Sequence, residues 1–275
     1  MQKILLQFIL IAGFFLGIWQ GISQFDFVGK LEIEKISTNN EKKLGELIIQ
    51  QIKSSKDYVN NDSLYIIVNS IKDRICNGNK IKGKTIKIHI IESNEINAFA
   101  LPDRNLVIYS QLIVDSKNPE ELAGVMAHEI AHMEQGHVMK KVVKEIGLSL
   151  LATIIGGNSG GEILKEATQT LSSKAYDRSL ETEADAMAVK YLVNANIDPV
   201  NFSTFLFRLS TTENAMPSAF NWINTHPESK ERVAEVLKLK KKYTFNVKPL
   251  LSASIWNRAK ELLETKKGED NTFQQ

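Results

Sequence analysis

Apolar residues recur every three or four positions through Leu44, Leu47, Ile48 and Ile52, and again through Leu64, Ile67, Val68, Ile71 and Ile75. Each set lies on one face of a helix, so two amphipathic helices packed on a core are predicted before Asn79. Gly78 and Gly83 punctuate the chain, and the period then changes to two: Ile86, Ile88 and Ile90 face one way and Lys87 and His89 the other. That alternation over Thr85 to Ile91 predicts a half-buried strand. Asn97 to Leu101 and Asn105 to Tyr109 read as two further short strands around the turn Pro102, Asp103, Arg104. Downstream the pattern is helical. Pro119 suits the first helical position and Glu120 and Glu121 suit the positive end of the dipole, so a helix begins there and runs through Leu122, Val125 and Met126. Val142 to Ile155 is mostly apolar and leads into Gly156, Gly157, Asn158, Ser159, Gly160, Gly161, either a core helix with a flexible loop or a mobile lid. Helices follow at about 162–176, 179–194 and 199–210, with a charged one ending near Lys240. The expected fold class is α+β, mostly α, with one small sheet.

The first residues change the picture of where the protein works. Lys3 precedes an apolar run from Ile4 to Trp19 that only Gln7 interrupts, and Gly21, Ile22, Ser23 form a small-x-small triplet that a signal peptidase could cut. The run is shorter than the roughly 20 residues of a spanning helix. Residues 1–23 are therefore either a signal peptide or a membrane anchor, with residues 4–19 as the membrane contact. Both imply export, to the periplasm or to a membrane-anchored site facing it. Residues 24–265 are expected to form one domain, in keeping with a 275-residue chain, and residues 266–275 a polar, disordered tail. The net charge of +2 carries no basic stripe with interleaved aromatics, so nucleic acid is not an expected partner. The single cysteine, Cys76, falls on a helical apolar stripe and reads as a core residue. Oligomeric state is left open.

The candidate chemistry sits at His128, Glu129, Ile130, Ala131, His132, an HExxH segment. Residues four apart on a helix lie about 40° from each other, so both imidazoles reach one ion, while Glu129, about 100° round, addresses a water beside it. Zinc takes neutral imidazoles and an open position at which water is acidified toward a pKa of about 7. Three of the five histidines crowd into this stretch, which argues against a chance match.

A third ligand sets the class. An HExxHxxGxxH site needs glycine at 135 and histidine at 138, whereas the chain has Gln135, Gly136, His137 and Val138. On an unbroken helix His137 lies about 180° from His128 and is excluded as a ligand unless the helix breaks at Gly136. A later helix offers Glu181, Thr182, Glu183, Ala184, Asp185. Glu181 is the expected ligand, with Glu183 as the substitute, and Asp185 one turn on would accept the free N–H of a ligating histidine. Ala184, Ala186, Met187, Ala188 and Leu192 mark this helix as packed rather than solvated.

These residues resemble the zinc gluzincin peptidases that include HtpX, Oma-type, BepA-like and CAAX prenyl protease members. The likeness covers roughly Leu44 to Val236 and rests on AHEIAHMEQGH at 127–137, RSLETEADAMAV at 178–189, NAFALP at 97–102 and HPESKERV at 226–233. It implies a zinc ligand at Glu181, an aspartate with a site role at Asp185, and a place near the metal for His226, which would either stabilise an oxyanion or block the open coordination position. Read from the residues alone, His226 is equally a helix-start histidine before Pro227. Arg178 and Arg232 either pair with the site carboxylates or are solvated. Two departures stand out: Asp103, Arg104, Asn105 replaces a glycine-rich turn, and the several membrane helices of the HtpX and CAAX members have no counterpart beyond the N-terminal run. Prenylated substrates are therefore not expected, and the likeness is nearest to small exported members that degrade misfolded or misassembled envelope proteins.

The resulting expectation is a metalloendopeptidase with one zinc ion per chain, protein or peptide substrates, and Glu129 as base for a zinc-bound water. An edge strand at Asn97, Ala98, Phe99 and Ala100 would bind the substrate backbone without reading its sequence. Two other readings compete: a chaperone-like or adaptor protein with a structural or self-blocked zinc site, and a regulatory protease of narrow specificity.

Overall fold

The structure is a computed structural model and describes residues 38–55, 58–157, 161–212, 220–226 and 229–272. The leader or anchor at residues 1–23 lies outside the described residues, as does the centre of the glycine-rich loop. Among the described residues two helices come first, α1 (Thr38–Ser55) and α2 (Asp62–Asn79), as the apolar spacing requires. Asn61 caps α2, its side chain accepting from Leu64 N–H at 3.1 Å. Strands β1 (Lys87–Ile91), β2 (Ala98–Leu101) and β3 (Asn105–Tyr109) follow, in the order β1-β3-β2. β3 runs parallel to β1 and antiparallel to β2, which leaves β2 at an edge.

The turn between β2 and β3 is tight without glycine. Asp103 and Arg104 both adopt the left-handed conformation, at φ 61° and 56°, which costs a non-glycine residue about 1–2 kcal/mol. Asn105 Nδ2 donates to the Pro102 carbonyl at 2.6 Å, and Lys87 pairs with Asp103.

The remaining chain is helical: α3 (Ser110–Asp115), α4 (Pro119–Glu134), α5 (His137–Ile146), α6 (Leu148–Gly156), α7 (Gly161–Ser173), α8 (Arg178–Asn194), α9 (Val200–Thr212), α10 (Phe220–Thr225), α11 (Ser229–Lys240) and α12 (Ala253–Thr272). Helix α12 continues past Thr265, where the polar composition suggests the ordered chain would stop. The apolar stretch after Val142 is two helices rather than one, because Gly147 at φ 78° separates α5 from α6. Among the described residues, no helix is long and apolar enough to cross a membrane.

The sheet is covered on both faces. Ile90, Ala98, Leu106 and Ile108 join the main core with α2, α4, α8, α9, α11 and α12. Ile91, Phe99, Leu101, Val107 and Tyr109 face a second core built from α1, α5, α6 and α7. The half-buried strand expected at Thr85–Ile91 is thus exposed only at its beginning: Lys87 is open to solvent, His89 is half-buried, and Ile91 on the same face packs with α1.

Helix α4 runs through the middle, packed by α2, α8, α9 and β2, and every residue from Leu122 to His132 is buried. Its start is fixed by Asn118, whose side chain accepts from Glu121 N–H at 2.8 Å, and by Pro119 behind it. Close packing needs Gly124: a Cβ there would meet Phe202 Cβ of α9 at 2.5 Å.

Candidate metal centre

His128 and His132 project from one face of α4 with their Nε2 atoms 3.0 Å apart, both rings fully buried. Glu181, on the first turn of the neighbouring α8, brings Oε2 to 3.4 Å from His128 Nε2 and Oε1 to 3.4 Å from His132 Nε2. His226 follows α10 and places Nδ1 at 3.2 Å from His128 Nε2 and 2.9 Å from Glu181 Oε1. One donor atom from each of these residues lies within 4.8 Å of all the others, and all four residues are buried.

The donor set fits zinc. Bonds of about 2.0–2.1 Å put the corners of a tetrahedral site roughly 3.3 Å apart, close to the separations seen here. His128 Nδ1 lies 2.9 Å from Asp185 Oδ1 and so carries the proton, which leaves its Nε2 a lone pair directed at the other donors. Glu181 Oε2 is buried without a hydrogen bond, although Arg232 Nη1 stands 3.0 Å away. Lone pairs and an unbonded carboxylate oxygen converging in a buried space call for a cation.

Charge is arranged around this point. Burial would raise Glu181, but His226, Arg232 and His128 outweigh it and hold the carboxyl well below its ordinary range. Burial acts likewise on Asp185, which Arg232 keeps below its usual value. His128 is pushed down by burial and up by Glu181 and Asp185, and ends raised to about 9. For His132 burial dominates and the imidazole is held well below the ordinary value, while burial lowers His226 to about 4.

Glu129 stands between the edge strand and the donor cluster. Burial raises its carboxyl to about 7. Oε2 accepts the backbone N–H of Ala100 at 2.9 Å, and Oε1 has no hydrogen bond and lies 3.3 Å from His226 Nε2. The Ala100 amide belongs to the free edge of β2: Tyr109 N–H donates to the Asn97 carbonyl, so the alternate residues Asn97, Phe99 and Leu101 face β3 and Ala98 and Ala100 face away from it. Asn97 stands just before the strand, where its carbonyl accepts from Tyr109 N–H at 3.0 Å and its side-chain Oδ1 is buried without a partner. Ala98, Phe99 and Ala100 are all buried.

The two candidate arginines have different surroundings. Arg178 is exposed at the start of α8. The guanidinium on the site carboxylates is that of Arg232 from α11, 7% exposed, with Nε and Nη2 on Asp185 at 2.7 and 2.8 Å and Nη1 on the His226 carbonyl at 3.1 Å. A bidentate pairing of this kind is strong and directional.

Three aromatic rings complete the surroundings. The helix does break at Gly136, at φ 68°, and this turns His137 back so that its Nδ1 lies 3.0 Å from His132 Nδ1. Tyr176 stacks on His132 at 3.8 Å and 13°, and Trp222 on His226 at 4.2 Å and 29°. Glycine before a histidine was a visible signal for the first; neither Tyr176 nor Trp222 belongs to a motif.

Paired histidines one helical turn apart, a carboxylate from another helix and a separate glutamate beside a strand edge are the working parts of metal-dependent peptidases. Residues 67–240, more than half of the 275-residue chain, match peptidase family M48. The chain belongs to that family of zinc metallopeptidases. It is 28% identical over 217 residues to the beta-barrel assembly-enhancing protease of Escherichia coli (strain K12), an alignment covering 73% of this chain and 44% of that protein. Similarity extends to the mitochondrial metalloendopeptidase OMA1 of Schizosaccharomyces pombe, 26% over 152 residues, with 54% of this chain and 45% of that one covered. Metalloprotease LoiP of Escherichia coli is 26% identical over 167 residues, covering 58% of this chain and 64% of that protein. The chain thus spans less than half the length of the first two relatives.

Proposed function

We propose that the chain is a zinc endopeptidase that hydrolyses peptide bonds of misfolded or misassembled proteins of the cell envelope, holding one zinc ion at His128, His132 and Glu181. The observation that carries this reading is the convergence of those three side chains beside a Glu129 whose free oxygen faces the same space. Zinc bound there supplies Lewis acidity toward a carbonyl and acidifies water. Glu129, raised to about 7, takes a proton from water at Oε1 and later gives it to the leaving nitrogen. Ala98 and the Ala100 carbonyl offer backbone groups on the free edge of β2 to an extended substrate, with Asn97 Oδ1 as a further acceptor. His226 donates from its ring to the oxygen on which charge develops. Asp185 holds the His128 ring by its Nδ1–H, and Arg232 locks Asp185.

Export, to the periplasm or to a membrane anchor facing it, follows from the apolar run at Ile4 to Trp19, and the name of the beta-barrel assembly-enhancing relative supports an envelope role. The test is cleavage of casein by the purified zinc-loaded protein, abolished by a chelator and restored by zinc. Absence of chelator-sensitive cleavage would overturn the reading.

A second reading has its own observation. His226 Nδ1, 2.9 Å from Glu181 Oε1 and 3.2 Å from His128 Nε2, stands where a fourth ligand would stand. In that arrangement the site is self-blocked, and the protein binds partners more than it cuts them.

A further inference from the structure

We infer that His137, with Glu183 behind it, is a positioning residue that orients the His132 ring toward the metal, an inference that rests on the zinc site proposed above. The protons of the chain His132–His137–Glu183 can be arranged in only one consistent way. His132 must present a lone pair at Nε2 to act as a ligand, so its proton sits on Nδ1. That nitrogen is 3.0 Å from His137 Nδ1, which therefore accepts. A neutral His137 then carries its own proton on Nε2, and Nε2 is the atom that lies 3.3 Å from Glu183 Oε2.

Each link has a cause in the backbone. Gly136, in the left-handed conformation, ends the metal helix and starts α5 at His137, so a ring that an unbroken helix would carry to the far side comes back beside His132. The His137 side chain is fully buried while Glu183 is 51% exposed, so the histidine carries the carboxylate's influence from the surface to the ligand. Glu183 lies about 200° around its helix from Glu181 and cannot turn to the cluster itself. Tyr176, stacked on His132, fixes the plane of the ring, and His137 fixes its rotation within that plane.

The two ligating histidines are thus held by acids of the same helix, His128 directly by Asp185 and His132 through His137 by Glu183. A buried imidazole that served only to fill space would leave its polar atoms uncompensated, whereas here both ring nitrogens have partners.

The test measures zinc affinity by competition with a chromogenic chelator for the wild type, His137→Leu, His137→Asn and Glu183→Ala, with cobalt-substituted absorption spectra and melting temperatures alongside. Removing a partner of this kind weakens metal binding about 10–100-fold. His137→Leu is expected to show that loss with an altered cobalt spectrum and a fall in kcat larger than any change in KM. His137→Asn, which keeps an acceptor near the position of Nδ1, is expected to recover most of it, and Glu183→Ala to show a smaller loss in the same direction. Wild-type affinity and spectrum in folded His137→Leu would overturn the inference. If His137→Leu does not fold, an Asn variant as weak as a zinc-ligand deletion together with an unchanged Glu183→Ala variant would overturn it equally. A wild type that binds no zinc would instead sink the reading of the site.

Discussion

The backbone N–H of Ala100 donates to Glu129 Oε2 across 2.9 Å, so the edge strand and the glutamate of the metal helix are joined by a direct bond. One oxygen of Glu129 is thereby tied to the strand and the other left toward the metal ligands. On the function proposed above, a substrate laid along β2 and the base that serves it would be held in one register.

Glu129→Gln keeps the shape of that contact and removes the base. Cleavage of casein is expected to fall by about 10²–10⁴-fold, the usual worth of a positioned general base. Zinc content by elemental analysis stays at the wild-type value. Retained hydrolysis would reassign the base.

Glu181→Ala removes a ligand without disturbing α4. Zinc per chain is expected to drop, and the melting temperature to lose its dependence on added zinc. The wild type gains about 4 kcal/mol at a thousandfold excess of metal over Kd. An unchanged metal ratio would remove Glu181 from the ligand set and leave His226 as the remaining buried donor of the cluster.

His226→Ala separates the two readings of the site. As an oxyanion donor its loss lowers kcat about 10²–10³-fold with zinc retained. A rise in turnover would instead make His226 the group that shuts the site.

Acid limits the reaction through Glu129. Its carboxyl must be ionised to accept a proton, and burial has raised it to about 7, so the protonated, inactive form grows as pH falls below that point. Bound zinc adds positive charge and moves the limb to lower pH. The wild type should lose kcat/KM about tenfold per unit below the limb, whereas the residual activity of Glu129→Gln should lack it.

Gly136→Ala adds a Cβ that meets nothing within 4 Å, so only the backbone at φ 68° objects. A loss of about 1–2 kcal/mol is expected in urea unfolding. A neutral result would mean that the turn relaxes to another conformation.

Much of the arrangement could be read from the residues. The metal helix begins at Pro119, where the proline and acidic first turn put it, and Glu181 and Asp185 share the face their spacing gives them. Arg178 and Arg232 are equal candidates by residue type, and the guanidinium that pairs with Asp185 comes from 47 residues away. Periodicity describes one helix at a time and cannot show which other helix packs beside it. For His137 the angular argument carries its own exception, a break at Gly136; the left-handed Gly136 is that break, and it brings His137 beside His132 but not into the donor cluster. The second covered face of the sheet is hidden for a similar reason: Lys87 and His89 share their face with Ile91, and only the packing of Ile91, Phe99 and Tyr109 with α1 shows that this face is largely covered.

Every residue of β2 is enclosed, even though the strand has an unpaired side. A rigid globular partner cannot press a finished sheet against so recessed a border, and only a slack length of polypeptide, already unravelled, is thin enough to slide in. On the function proposed above, the state of the chain, folded or unravelled, would then sort clients before any side chain does.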